Sequence, residues 1–389
     1  MDASRRWITG GSCVIIVVAC VTAAVARALR PQAVRASNAV GDATCVSCHR
    51  QKLSFEQTAH RLTSRPVTRL AIDGSFQDRA NILRTTNPDV HFRMDSIASG
   101  FYQSAVELRD GDSSTRTERI DIVTGVRKGQ SYLSWRGDRL YQLPVSQWKG
   151  IGWINSPGYR DGVVNFDRPI LPRCLECHAT SFTSVADTGS ANRYAPGTSQ
   201  LGISCESCHG AGQAHVVRER SPLRVLSTAI VPSGMVNPAR LSRARQLDGC
   251  ALCHAGLGTL RNAAFSYVPG TPLEHHLDIP PPALEDNVDV HGNQLELLAQ
   301  SACFVKSGMT CRTCHDVHTE QRDLRALSGR CLSCHTSQSC GLYRQQGQAI
   351  VGHCVDCHMP NLTSNTIVSD RNGHEERPQV RSHWIRVYR

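Results

Sequence analysis

The 389-residue sequence predicts a mostly α and irregular fold with a small antiparallel β insertion. Three observations predict it. Hydrophobic residues make up 40% of the chain and aromatics only 5%, a thin supply for a side-chain core of this size. A five-residue pattern, Cys-x-x-Cys-His, recurs seven times among short helical and polar loop segments. One long stretch lacks the pattern and alternates apolar with polar residues between Gly/Asp turns.

The repeated pattern defines seven sites, numbered here in chain order. Site I is Cys45, Cys48 and His49; site II is Cys174, Cys177 and His178; site III is Cys205, Cys208 and His209. Site IV is Cys250, Cys253 and His254, and site V is Cys311, Cys314 and His315. Site VI is Cys331, Cys334 and His335, and site VII is Cys354, Cys357 and His358. Composition alone would give about 0.04 copies of such a pattern. Two thiols at this spacing add to the two vinyl groups of a haem, and the next residue, His, ligates the iron from one side. Structural zinc uses Cys-x-x-Cys pairs but does not call for a His after the second Cys, and all seven pairs have one. A thioredoxin-like redox motif would be single and set in a βαβ pattern. The expectation is seven covalently attached haem c groups, whose apolar faces serve as core, making the fold haem-packed.

In chain order, residues 1–36 read as a targeting segment. Arg5 and Arg6 precede the apolar run 13–26, and Ala24-Val25-Ala26 offers a cleavage site. Trp7 to Leu29 is long enough to span a bilayer if uncleaved, and Val18-Ala19-Cys20 loosely resembles a lipoprotein box. Export suits haem c attachment and places the chain in the periplasm or another extracytoplasmic space. Inner-membrane attachment through the N-terminus stays open. Residues 37–65 hold site I and a helical segment, SFEQTAHR, that includes His60. Residues 66–172 are free of haem motifs, with alternation at Ser104–Leu108, Arg119–Val123, Ser131–Trp135 and Leu140–Leu143. The Trp and Tyr residues there either pack a small β core or line the edge of the haem array. Residues 173–389 form a haem-rich region with the other six sites, a Pro-rich wrapping loop at 261–300 and a polar, basic tail after Pro360.

Ten His residues remain beyond the seven in the motifs, against four Met after the initiator. Low-spin electron carriers need a second strong ligand on each iron, so the surplus points to bis-His coordination. The preferred metal ligands are His60, His215, His291, His318, His353 and His383, added to proximal His49, His178, His209, His254, His315, His335 and His358. His60 stands too near His49 to cross its own haem and suits a neighbouring iron. His215 and His318 follow proximal His residues by six and three positions, a spacing that aims the ring at an adjacent haem. His91, His275, His276 and His374 read as ordinary histidines, unless one fills the seventh position. Met359 adjoins His358 and lies on the wrong side of that haem.

Eighteen Cys leave only Cys303 and Cys340 outside the motifs and the N-terminal segment, either as a disulfide or as buried free thiols. The formal charge of +10 is offset by two propionates on each haem, and the Lys and Arg are scattered. Nucleic acid is not an expected partner.

Several segments together resemble the multihaem cytochrome c family of the cytochrome c-552/c-554 type. They are CVSCHRQKLSFEQTAH, RLYQLPVSQWKGIGWINSPGY, RCLECHAT, GISCESCHGAGQAH, VNPARLSRARQLDGCALCH, DVHGNQLELLAQSACF, MTCRTCHDVH, HCVDCHMP and SHWIR. They spread over roughly residues 42–387. The resemblance implies exported proteins with bis-His haems packed in pairs and chains that relay electrons. It favours His60, His215, His291, His318 and His383 as ligands, and His353 less. Relatives include nitrite reductases, which typically carry Lys in place of a motif His, and hydroxylamine oxidoreductases with a crosslinking Tyr. Neither feature is found here.

Two function classes follow. One is an electron carrier working between periplasmic or membrane redox proteins. The other is an oxidoreductase with one open haem acting on a small nitrogen or sulfur compound, with His91, Tyr102, Arg139 and Tyr141 as proton-handling candidates. The carrier is the favoured reading, and no catalytic residue is assigned.

Overall fold

A computed structural model describes residues 33–35, 37–77, 79–185, 191–222, 233–279 and 287–388. The expected targeting segment falls almost wholly outside them. Among the described residues no helix is long and apolar enough to cross a membrane.

The expected mostly helical fold is overturned: the chain is 27% helical and 25% strand, with several antiparallel sheets. Two causes are visible. The motif helices are short, for example Asp42–Cys48, Cys205–His209 and Cys354–His358. A haem motif needs only enough helix to bring its residues, at i, i+3 and i+4, onto one face. After His209 the chain turns away through Gly210 at φ 86°, a conformation open to glycine. The second cause is the size of the β region, which is no small insertion.

That region contains β1 (Ser64–Pro66), β2 (Ile82–Arg84), β3 (Val90–Ile97), β4 (Gly100–Arg109), β5 (Asp112–Ile120) and β6 (Ile122–Thr124). It continues with β7 (Gly129–Arg136), β8 (Arg139–Gln142), β9 (Val145–Trp148), β10 (Gly152–Asn155) and β11 (Arg168–Pro169). Strands β2-β3-β4-β5 form one antiparallel sheet. A second runs β1-β6-β7-β8-β11, with β9 and β10 attached through β7. The β4–β5 hairpin pairs Arg109 with Asp112 across Asp110 (φ 53°) and Gly111 (φ 88°). Two consecutive positive φ values match the right-handed strand twist, which is why Asp-Gly suits this turn.

Side chains of the two sheets meet in a core of Phe92, Met94, Ile120, Val123, Tyr132, Leu143, Val145, Trp153 and Phe166. Tyr132 and Trp153 are therefore β-core residues, their rings 6.0 Å apart. On the other side, Leu133 and Leu140 pack with Leu175, Phe182 and Tyr194, joining the sheet to site II. Two-stranded ladders complete the chain: β12 (Ala179–Ser181) with β13 (Gln200–Leu201), and β14 (Thr259–Leu260) with β15 (Leu277–Asp278). The tail adds β16 (Asn361–Thr363), β17 (Ser369–Arg371), β18 (His374–Glu376) and β19 (Gln379–Arg381). β16 pairs with β19, and β17 with β18.

The haem-rich end is built differently. Among the described residues, no apolar side chain between Phe304 and Val355 is buried, although sites V and VI and the first cysteine of VII lie there.

Candidate haem sites

None of the fourteen motif cysteines, nor Cys303 or Cys340, is in a disulfide. The Cys303–Cys340 disulfide is therefore not formed; Cys303 instead lies beside Cys314 and Cys331.

Each motif histidine needs one ring nitrogen free. His358 Nδ1 donates to the Arg386 carbonyl at 2.9 Å and His209 Nδ1 to the Val236 carbonyl at 2.8 Å. His254 Nδ1 lies 3.2 Å from Gln294 Oε1, and His178 Nδ1 lies 2.9 Å from Thr63 Oγ1. Fixing Nδ1 in this way sets the ring orientation and leaves Nε2 to bond a metal. Burial pushes His178, His254 and His315 below the usual histidine range. Their rings are uncharged at neutral pH, the form that ligates.

The other histidines face these rings in pairs. His49 and His215 have ring centroids 6.4 Å apart, His60 and His254 6.0 Å, His209 and His318 6.3 Å, and His315 and His383 6.3 Å. An imidazole nitrogen bonds a transition-metal ion at about 2.0 Å; with the ring centre about 1.1 Å further out, two trans rings stand about 6.3 Å apart. The four pairs therefore have the spacing of two imidazoles on one iron, with a porphyrin plane between them. Burial pushes His60 and His383 down to about 4, so both rings are uncharged at neutral pH. His291 is near enough to His178 for its charge to lower the His178 pKa, and its own Nδ1 is held 2.9 Å from Asp289. The donors present thus fit haem c at sites I to V.

His353 is not in ring contact with a motif histidine; its Nδ1 lies 3.1 Å from Asp356 Oδ2. His276, read as an ordinary histidine, is 3% exposed, with Nε2 2.9 Å from Glu176 Oε1 and Nδ1 3.2 Å from Ser266 Oγ. His91 lies in β3 and His374 in β18. His275 ends a short 3-10 turn and accepts a bond from Asn262 at its carbonyl. The four proton-handling candidates are not gathered at one place. His91 and Tyr102 are in the four-stranded sheet, where Tyr102 bonds Ser99. Arg139 and Tyr141 are in the other sheet, where the Arg136 guanidinium covers the Tyr141 ring at 3.5 Å.

Sequence reasoning did not find the groups that support the ligands. Glu206, inside motif III, is fully buried and accepts N–H bonds from Val40, Gly41 and Gly212. Arg127, from the turn before β7, reaches Glu320 at 3.0 Å, and Glu320 accepts the Ala59 N–H at 3.1 Å beside His60. The Arg127 charge lowers the pKa of both His60 and His315. A cation so placed stabilises ferrous over ferric iron. Arg127→Gln should therefore lower the potentials of sites IV and V by on the order of 10–30 mV, a value discounted for the exposure of this side chain. Haem-resolved redox titration checks this; no change at either site overturns it.

Covalent-attachment motifs, anchored proximal histidines and opposed imidazoles define a multihaem c-type cytochrome, a class that handles electrons. Within it, residues 161–210, which carry sites II and III, match the family described as cytochrome c554 and c-prime. No curated protein matches the chain significantly. An undecahaem cytochrome from the S-layer of Carboxydothermus ferrireducens is similar at a TM-score of 0.40 and 16% identity, covering 92% of this chain. The chain spans about half of that protein, 53% of its length.

Proposed function

We propose that this chain is an exported seven-haem cytochrome that relays electrons between periplasmic or membrane redox partners through bis-histidine haems. One observation carries this reading: four motif histidines each face an imidazole from another segment at 6.0–6.4 Å. Two strong-field ligands hold iron low-spin in both oxidation states, so little reorganisation accompanies electron transfer and no substrate reaches the metal. The proposed second ligands are His215 at site I, His291 at II, His318 at III, His60 at IV and His383 at V. His353 is proposed for site VI. Its helix, Cys354–His358, packs on Leu324–Cys331, with Val355 N–H donating to Ser328 Oγ at 3.3 Å. Export is proposed from the apolar run 13–26 and from the location of haem c attachment.

A second reading, an oxidoreductase with one open haem, is favoured at site VII alone. Every remaining histidine is placed elsewhere: His276 on Glu176, His91 in β3, His374 in β18 and His275 beside Asn262. Mass spectrometry of the purified protein should show seven haems attached. Electron paramagnetic resonance should show low-spin ferric iron at sites I to VI. A high-spin fraction of one iron in seven that binds carbon monoxide when reduced selects the second reading; low-spin iron throughout selects the carrier. Absence of covalent haem overturns both.

A further inference from the structure

We infer that the seven haem sites form a branched line in the order I–III–IV–V–VI–VII, with site II attached as a spur at site IV. This rests on the electron-relay reading and gives it a path. In haem c each thiol sulfur is bonded to the edge of the porphyrin, so two motif thiols in contact bring two porphyrin edges together. The contacts between motif cysteines therefore map which haems are neighbours.

The line starts where the Cys45 and Cys205 sulfurs adjoin, joining I to III. Asp42 Oδ1 accepts the Cys205 N–H at 2.9 Å, and Glu206 holds the turn before site I. Cys208 of III lies within electrostatic reach of Cys250 of IV. Cys250 also adjoins Cys311 of V. The same helix reaches V a second way: Arg243 donates to the Met309 and Phe304 carbonyls, each at 2.9 Å. Cys314 of V lies beside Cys334 of VI. Cys331 of VI adjoins Cys354 of VII, where the Val355 N–H donates to Ser328 Oγ at 3.3 Å between the two motif helices.

The branch comes from the other thiol of site IV. Cys253 adjoins Cys177 of II, its sulfur 4.0 Å from the Glu176 carbonyl. Arg173 clamps the two motifs together, donating to Leu252 O at 2.8 Å and to Leu257 O at 2.7 Å. The motif thiol beside Cys177 of site II is thus Cys253. Sequence order and spatial order therefore differ: II precedes III in the chain but stands off the line. Site IV is a three-way junction, with Cys250 facing III and V, and Cys253 facing II. Traffic between the ends at I and VII passes IV, whereas II stores an electron to one side.

The test is haem-resolved redox titration, followed by nuclear magnetic resonance, on full-length protein lacking single haems. Neighbouring haems repel each other's charge, so removing one shifts the potentials of those it touches. Cys174→Ala/Cys177→Ala should shift site IV alone. Cys250→Ala/Cys253→Ala should shift II, III and V together. If the double variants do not fold, Cys174→Ser retains site II on one thioether and should perturb site IV alone. Loss of site II shifting I, III or V as much as IV would overturn the order. In that outcome the haems still titrate and the relay reading survives. Irons that cannot be reduced at all would instead end the relay reading.

Discussion

Glu206→Ala should destabilise the holoprotein by about 3–5 kcal/mol and loosen site I, more than any surface substitution. The carboxylate is fully buried and takes four contacts from three backbone donors. Val40 N lies 3.1 and 3.2 Å from its two oxygens, Gly41 N lies 3.0 Å away and Gly212 N 2.8 Å. Alanine leaves these donors unpaired inside the protein, and a shorter side chain draws nothing else onto them. Gly212 itself cannot change to compensate, because a Cβ there would meet Val40 Cγ2 at 2.8 Å. Glu206→Gln keeps one acceptor oxygen but turns an amide toward the remaining donors, so its cost should be intermediate. Denaturant unfolding monitored by haem absorbance measures both. An alanine variant within 1 kcal/mol of the parent, roughly the contribution of a single hydrogen bond, would show that Glu206 does not anchor the N-terminal segment.

His383→Met should raise the potential of site V by at least about 59 mV, a tenfold change in the one-electron equilibrium. Axial ligands tune haem potentials over about 0.8 V, and a thioether favours ferrous iron where imidazole favours ferric. His383 is the residue to change because it is buried, 6.3 Å from His315, and fixed by a bond from its Nδ1 to the Arg381 carbonyl at 3.2 Å. Its segment is anchored by Ser301 Oγ, which accepts the Ile385 N–H at 2.7 Å. Site V lies inside the proposed line, so a raised potential there traps an electron and slows passage from IV to VI. Spectroelectrochemistry should show one of seven haems shifted upward with its spectrum changed toward Met–His coordination. An unaltered titration would mean that another group ligates this iron.

The motifs were legible because haem attachment is local chemistry. Two thiols and one imidazole must lie within five residues, whatever the rest of the chain does. The β-hairpins were partly legible for a similar reason: Asp110-Gly111 imposes its turn on the residues on either side. The tail shows where such reading stops. Asn372 (φ 53°) and Gly373 (φ 79°) form the same kind of turn between β17 and β18, and Asn-Gly is a strong hairpin signal. Its flanking strands are three residues each and polar, so no alternation marked them. The extent of β structure was underestimated because strands as short as β1, β6 and β11 are formed by their partners, not by their own composition.

By itself the sequence marked where haem attachment is expected: which cysteines are paired at that spacing, which histidine follows each pair, and that enough other histidines exist to face them. Only the tertiary structure decided which imidazole faces which. His60 meets His254, His209 meets His318, and His49 meets His215 across 194, 109 and 166 residues respectively, from differences of their sequence numbers. Spacing along a chain restricts neighbours only over a few residues. Beyond that, packing sets distances, and here it is packing by buried acids such as Glu206, by the arginine clamp at Arg173 and by a β region whose Arg127 reaches toward two of the haem sites.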